Sequence, residues 1–528
     1  MRMPSVMGHK FSEVPNVQIP RSRFDRSFGY KTTFDAGLLV PYYVDEALPG
    51  DTFNCRMTGF ARLSTPVFPI MDNMYMETFF FAVPYRLVWD NWERFCGAQN
   101  NPDDWTDFEI PTFTYGMPGA SIGGIGDYMG IPTGIGGLTI NSLHFRAYNL
   151  IWNEWFRDEN LQNPATVPTD DGPDSSGIYG LRRRGKRHDY FTSALPWPQK
   201  GESVTIPLGS QAPVNQTVPG PFIYMGDGGA WTGHLSLGSG GGDVRLVEMD
   251  RLTGTPMQED DTWELPDNSL YADLSEATAT SINELRQAFQ IQKMLEKDAR
   301  GGTRYTETIR AHFGVTSPDA RLQRPEYLGG GSTPVIVSPI AQTSETNDTP
   351  QGTLAAMGTA SWSGHGFTKS FTEHCLLIGM VCVRADLTYQ QGLDRMFSRQ
   401  TRFDYYWPSL AHLGEQTVLR KEIYCTGDPE EDDIVFGYQE RFAEYRYKPS
   451  KITGLFRSSA AGTLDKWHLS QNFVAPPFLG NAFIQENPPV DRVIAVPSEP
   501  HFLLDTYTKL TCARPMPVYS VPGLIDHF

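Results

Sequence analysis

Short apolar runs divided by turn signals dominate both ends of the chain. KTTFDAGLLVPYYVDEALPGDTFNCRMTGFARL, from Lys31, is broken at Leu48-Pro49-Gly50-Asp51, and NMYMETFFFAVPYRLVW follows from Asn73 with partial alternation. Together they predict at least three strands. Towards the other end, EHCLLIGMVCVRADLTY from Glu373 is almost continuously apolar and rich in branched residues. DIVFGYQERFAEYRYKP from Asp433 and HFLLDTYTKLTC from His501 alternate more clearly, and these predict three more strands or strand pairs. Between the ends the pattern changes. From Gly201 to Thr280 there is no sustained period, and pieces such as SLGSGGGD and GDGGAWTG read as a long irregular insertion. Loops of that length persist where they have a function or where something outside the domain orders them.

Three helices stand out. In TSINELRQAFQIQKMLEKDARGG, Ser281 and Glu284 form a capping box, Ile282, Leu285, Phe289 and Met294 or Leu295 form an apolar stripe to be packed, and Gly301-Gly302 is the stop. A short helix is predicted at LVWDNWERFCG, with Val88, Trp92 and Phe95 on one face. Another begins at Leu143 in LHFRAYNLIWNEWFRDENLQ, mostly buried to judge by Tyr148, Ile151, Trp152 and Trp155. No repeat of 20 to 50 residues is present, which disfavours solenoids and propellers. Strands at both ends of one sandwich must pair across hundreds of residues, as in a Greek-key or jelly-roll sandwich with long excursions from its loops; a two-domain arrangement remains open.

Composition adds boundaries. The 528 residues can bury a large core, and 50 glycines with 40 prolines indicate many turns without precluding a packed fold. The longest strongly apolar run, Leu376 to Val383, is far shorter than the ~20 residues of a membrane-spanning helix, so no membrane insertion is expected. The first residues lack the apolar core of a signal peptide, which points to synthesis and folding in the cytoplasm. Six cysteines, at 55, 96, 375, 382, 425 and 512, form no CxxC pair and read as buried reduced thiols.

The candidate chemistry is sparse. The carboxylate pairs Asp260/Asp261, Glu430/Glu431 and Asp432/Asp433 sit in polar stretches, with nothing to place them ~5–9.5 Å apart across a sugar as glycoside hydrolysis requires. His374-Cys375 and His501 lack HExxH or GxSxG surroundings and read as core residues. The glycine-rich pieces ARGGTRY, GGGD and SIGGIGDYMGIPTGIGG do not match a phosphate-cradling loop. The Asn-x-Thr triplets at Asn215 and Asn347 have no consequence in a cytoplasmic chain. These residues point to no catalytic site and no cofactor, and they leave metal binding open.

One local signal rises above this background. In LRRRGKRHDY, five cations, Arg182, Arg183, Arg184, Lys186 and Arg187, fall within six residues of a chain whose formal net charge is −17. They can neutralise phosphates, and Tyr190 beside them, with Phe191 and Trp197, can stack on bases, a combination suited to single-stranded nucleic acid. Alternatively, arginine forks can hold carboxylates of the same or a neighbouring chain. Spacing alone leans towards the ion pairs.

Several long segments carry a family resemblance. RAYNLIWNEWFRDENLQNP, LRRRGKRHDYFTSALPWPQKG, INELRQAFQIQKMLEKDARGGTRYTETIRAHFGV and GYQERFAEYRYKPSKITGLFRSSAAGTLDKWHLSQNF resemble the major capsid protein of the Microviridae, of the gokushovirus type. FSEVPNVQIPRSRFDRS, LLVPYYVDEALPGDTF and NMYMETFFFAVPYRLVWDNWERFCG are similar to the same family. The likeness runs from about residue 8 to the end, interrupted mainly by Gly201 to Thr280.

The resemblance implies a mainly β chain: a single eight-stranded antiparallel jelly roll (β-sandwich) with long loop insertions and a few short helices. Residues 1–528 would form one capsid domain, with strands mainly from about 30–85 and 370–515 and with 201–280 as a variable surface protrusion. It implies self-assembly, in the bacterial host cytoplasm, of sixty copies into a small T=1 icosahedral shell around a circular single-stranded DNA genome. Minor capsid or pilot proteins, DNA-binding or scaffolding proteins and a host surface receptor would be further partners. Within that picture Arg182, Arg183, Arg184, Lys186, Arg187 and Tyr190 are candidates for DNA contact. Arg304, Tyr305, His312 and Phe313 of ARGGTRYTETIRAHFGV, and Arg441, Tyr445 and Tyr447 of QERFAEYRYKPSK, are candidates for contacts between subunits, as is the helix after Ser281. The competing class is a β-sandwich that binds or cleaves carbohydrate, suggested by the strands and by 65 aromatic residues. The absence of a signal-peptide pattern weighs against a secreted protein of that kind.

Overall fold

The computed structural model describes residues 20–99, 101, 103, 107–202, 204, 214–216, 222–225, 230–232, 263–264, 270–272, 282–302, 304–314, 323–347 and 349–519. The chain divides into two compact units, residues 1–198 with 303–528 and residues 199–302.

The first unit is built on nine strands: β1 (Ser22–Asp25), β2 (Phe28–Phe34), β3 (Val40–Ala47), β4 (Thr52–Leu63), β5 (Met74–Pro84), β6 (Glu326–Ala341), β7 (Leu354–Ser370), β8 (Cys375–Ala385) and β9 (Phe502–Arg514). Hydrogen bonding connects them in the order β1-β9-β4-β7-β6-β5-β8-β3, with β2 also on β9. All pairings are antiparallel.

The path folds into two sheets because β6 and β7 each change partner half-way. Glu326–Val335 of β6 pairs with β5, whereas Ile336–Ala341 pairs with the start of β7. Thr359–Ser370 of β7 then pairs with β4. One sheet is therefore β2-β9-β4-β7 and the other β3-β8-β5-β6, and from β2 onward successive strands alternate between them except at β5–β6, which are neighbours in the same sheet. That is the topology of an eight-stranded jelly roll.

Burial follows from this arrangement. β4 and β9 alternate buried and exposed residues, since one face meets the opposite sheet and the other meets water. Their inward residues, among them Phe53, Cys55, Met57, Phe502 and Leu510, join Val40, Phe80, Leu377 and Val381 of the second sheet in one core. Gly59 lies opposite Trp362 in that core, where a Cβ would come within 2.2 Å of the indole. β8 does not alternate, because both of its faces are covered. Leu377, Val381 and Val383 point into the sandwich, whereas Leu376, Ile378, Met380 and Cys382 point outward against helix α1 (Leu143–Trp155). A continuous apolar run is the pattern expected of a strand buried on both sides.

Helix α1 buries Leu143, Phe145, Ala147, Tyr148, Ile151 and Trp152 together with one arginine, Arg146, whose side chain is fully enclosed. Arg146 donates through Nε and Nη2 to the two carboxylate oxygens of Asp174, at 2.8 and 2.6 Å, and through Nη1 to the carbonyls of Val88 and Asp170. The charge is thus both paired and hydrogen-bonded, which is what burial of an arginine demands. The short helix expected around Trp92 is present at Trp92–Phe95, after a 3-10 turn at Tyr85–Leu87.

Three expectations need correction. Asp433 onward does not add to the jelly roll: Val435–Glu440 pairs with Glu415–Leu419 in a separate two-stranded ribbon, and Arg441 onward is irregular. Conversely β6 and β7, two of the longest strands, fall where no strand was expected, because glycine, serine and proline dilute their alternation. Of the six free cysteines, four are buried but Cys96 and Cys425 are exposed.

In the second unit, a 19-residue helix, α2 (Ile282–Arg300), ends at Gly301, with the turn continued by Gly302 at φ +99°. Phe289 and Met294 of its apolar stripe are 63% and 52% exposed, so the stripe is not packed away as expected. Ser281, the expected cap, lies outside the described residues, as does most of the 201–280 insertion. Its described parts are short strands, Phe222–Met225 with Ala230–Thr232 and Trp263–Glu264, and Val214–Gln216 with Leu270–Ala272.

Candidate assembly surface

The basic run is a stitch inside the first unit. Its backbone joins two distant loops: Arg184 donates to Gly37 O and Lys186 to Ile484 O, while Arg182 O and Arg184 O accept from Leu39 and Glu486. The side chains follow suit. Arg182 stacks over Trp152 at 5.4 Å and donates to Ile178 O. Arg183 donates to the carbonyls of Ala36 and Glu486, and Arg184 pairs with Glu77, which also accepts from Arg384. Lys186 is buried over Phe483 at 4.4 Å and donates to Gln471 Oε1 at 2.7 Å. Burial pulls its ammonium down to about 8, with Glu486 and Asp189 opposing. Tyr190 is 3% exposed and donates to Glu422 at 3.0 Å, so its ring has no free face for a base, contrary to the stacking role expected for it. Arg187 alone of the five cations is exposed. Intrachain pairing therefore accounts for most of the run, for a physical reason: long loops with few apolar residues need polar cross-links to hold one conformation.

The Tyr190–Glu422 contact leads to a more prominent surface. Tyr190, Phe191, Val418, Ile423, Phe436, Ala443 and Phe483 form a third, smaller core beneath the loops that follow β8. Above it, Glu422 accepts from Arg395 at 2.9 Å and from the Leu419 amide, and Glu444 accepts from Arg399 at 3.0 Å and Gln416 at 2.7 Å. Burial pushes the Glu422 carboxyl up, with Arg395 opposing. These groups line a polar hollow of about 170 Å³.

The paired arginines anchor RMFSRQTRFDYYWP, Arg395 to Pro408, whose aromatic side chains then face solvent. Phe397 is 70% exposed and Phe403 61%, and Tyr405, Tyr406 and Trp407 are about half exposed. The last four are held in place. Arg399 lies over Tyr405 and Tyr445, Arg402 over Phe403 and Trp407, and Tyr406 packs edge-on against Phe442. Arg441 donates to Phe403 O at 3.1 Å, and Tyr445 and Tyr447 extend the same exposed patch. Rigid exposed aromatics interleaved with arginines are the composition of interface anchors, which lose little conformational freedom when a partner covers them.

Of the residues expected at subunit contacts, Arg441, Tyr445 and Tyr447 thus belong to one patch. Arg304 is engaged within its own chain, by Glu159 at 3.1 Å, Glu154, Glu307 and Asn153 O. Tyr305 begins helix α3 (Tyr305–Phe313), His312 is in its last turn, and Phe313 at its end is 78% exposed. The larger share of the patch, Phe397 to Trp407, was missed by strand and helix patterning because it has neither period. Its legible signal is density: five aromatics and three arginines in 13 residues, Arg395 to Trp407.

Among the described residues, no group of three or more His, Cys, Asp and Glu could hold a metal ion, and no helix is long and apolar enough to cross a membrane. His501, buried, accepts at Nδ1 from the Ala36 amide, which leaves Nε2 to donate to Asp491 at 2.8 Å; it is a structural residue.

A jelly roll whose loops are far longer than its strands, and which presents a preformed aromatic–arginine surface, defines a class of structural subunit that works by associating with other subunits. The capsid protein (F protein) family model matches residues 12–524, and the chain belongs to that family. It is 48% identical to Capsid protein VP1 of Bdellovibrio phage phiMH2K, covering 98% of each chain, and 46% identical to Capsid protein VP1 of Chlamydia phage 1, covering 99% of each. Capsid protein VP1 of Spiroplasma virus 4 is 37% identical over 98% of this chain and 97% of that protein. The resemblance to the gokushovirus-type Microviridae holds.

Proposed function

We propose that this chain is the major structural subunit of a small icosahedral virion, in which sixty copies enclose a single-stranded DNA genome, and that it catalyses no reaction. The family membership supports the structural role. The observation that carries the assembly reading is the patch from Phe397 to Trp407 with Tyr445 and Tyr447: large aromatics, exposed on the isolated subunit, most of them with an arginine against the ring. Such a surface is a liability on a monomer and an asset between subunits. Assembly in the host cytoplasm, partnership with minor capsid and scaffolding proteins, and host attachment through the 201–280 insertion belong to the same proposal.

Negative-stain microscopy of the expressed full-length chain tests it. Closed shells, or pentamers that close into shells, are expected. Phe403→Ser with Trp407→Ser should leave a folded subunit, judged by circular dichroism, that no longer assembles. Wild-type protein that stays monomeric under all assembly conditions would overturn the reading.

A further inference from the structure

The outward face of the sheet β2-β9-β4, with β1 on its edge, is charged opposite to the chain as a whole. Alternation along β4 and β9 puts Arg56, Phe60, Arg62, Tyr507 and Lys509 on one exposed surface, and register adds Arg23 of β1 and Lys31 of β2. On these four strands the face carries five cations against two carboxylates, Asp25 and Asp505, in a protein of net charge −17. Among the described residues only Lys31 and Asp505 of this face pair with each other, at 3.4 Å. Arg56, Arg62 and Lys509 make no ion pair among the described residues.

Two aromatic rings stand among these charges. Phe60 is 50% exposed and Tyr507 55%. Phe60 faces Asp505 across the ladder and Tyr507 faces Thr58, so the rings are diagonal neighbours on adjacent strands. Such neighbours lie ~7–8 Å apart, a spacing that suits successive unstacked bases. Most other outward positions on β4 and β9, such as Asn54, Thr58 and Thr511, are small and polar, so little side-chain bulk stands between the rings and the cations. A cationic sheet bearing aromatic platforms is the physical requirement for holding a single strand without sequence preference: backbone charge is neutralised and bases stack.

We infer that this sheet face, rather than the basic run at Arg182, is the principal surface through which the subunit meets single-stranded DNA. The inference rests on the genome-enclosing reading above, and supplies it with a surface. Phosphates would lie along Arg56, Arg62 and Lys509, with bases over Phe60 and Tyr507.

The test uses the full-length chain, as unassembled subunits and as shells, with a fluorescent oligo-deoxythymidine as the probe. Arg56→Ser/Arg62→Ser/Lys509→Ser should flatten the slope of log Kd against log salt by about two, at ~0.7 for each phosphate no longer neutralised. Phe60→Ala or Tyr507→Ala should each weaken binding about five- to hundredfold, whereas Phe60→Tyr should not. Shells of the triple variant should retain less DNA than wild-type shells.

An unchanged salt slope and affinity in the triple variant overturns the inference, as does wild-type protein that does not bind the probe. Loss of assembly with unaltered DNA binding overturns it too, and makes the face a contact between copies of the chain. DNA binding through this face by a protein that never forms shells would instead sink the shell reading and leave the inference standing. If the triple variant does not fold, Phe60→Ala and Lys509→Ser alone are read in the same assay.

Discussion

Replacing Arg146 by methionine isolates the most demanding polar contact in the first unit. The substitution keeps an unbranched apolar stem, and so much of the packing in α1, but removes five hydrogen bonds at once. Asp174, with its side chain 1% exposed, is left as a buried carboxylate without its cation, held by neutral donors such as Tyr179. Breaking a buried pair in this way costs about 3–5 kcal/mol, chiefly from the charge left behind. Against a total stability of roughly 5–15 kcal/mol, that is a large fraction. The assay is the denaturant midpoint of the unassembled full-length chain, at constant transition slope. Arg146→Met/Asp174→Asn should recover part of the loss because no charge is stranded. A single-variant loss below about 1 kcal/mol, or a double variant no better than the single, would refute the reasoning. Acid adds a further check. Burial alone would raise Asp174, but the hydrogen bonds from Arg146 and Tyr179 outweigh it and hold the carboxyl below its ordinary value. The pair's contribution is therefore complete above the unfolded value, about 4, and is lost as pH falls through the lower folded value. In Arg146→Met that acid-side loss should shrink.

Three other outcomes are expected. Burial holds the folded Lys186 ammonium at about 8, below its unfolded value, so between about 8 and the ordinary lysine range the unfolded chain binds the extra proton and stability rises with pH; guanidinium midpoints for Lys186→Met should lack that slope, and an identical slope would contradict burial as its cause. Burial pushes the Cys55, Cys375 and Cys382 thiols up to about 12, so iodoacetamide at about pH 8 should modify only the exposed Cys96 and Cys425 in native protein, as counted by mass spectrometry; fast labelling of a third site would count against the core as described. Gly59→Ala should destabilise by about 1–3 kcal/mol, since the new methyl meets the Trp362 indole, and a neutral effect in thermal unfolding would mean the ring can move aside.

What the sequence determined by itself was whatever local periodicity and unbroken similarity can carry. The alternation in HFLLDTYTKLTC and the continuous apolar run of LLIGMVCV specified one strand with a wet face and one with none, and both are found. The α1 helix was legible from the density of aromatics between Leu143 and Trp155, and the family from long matching segments. Tertiary structure decided everything that depends on which distant residues meet. LRRRGKRHDY reads equally well as a nucleic-acid contact or a salt-bridge cluster, because charge density does not specify a partner; Glu77, Glu486 and Gln471, far away in sequence, take those side chains inside the subunit. The glycine-diluted β6 and β7 became strands because ladder hydrogen bonds to β5 and β4, which no local pattern encodes, outweigh weak propensity. In the same way the cations and aromatic rings of the sheet face, spaced two residues apart on strands hundreds of residues distant, form one surface only when β9 returns beside β4. Strand alternation sets which residues point outward, and long-range pairing alone sets which of them stand together.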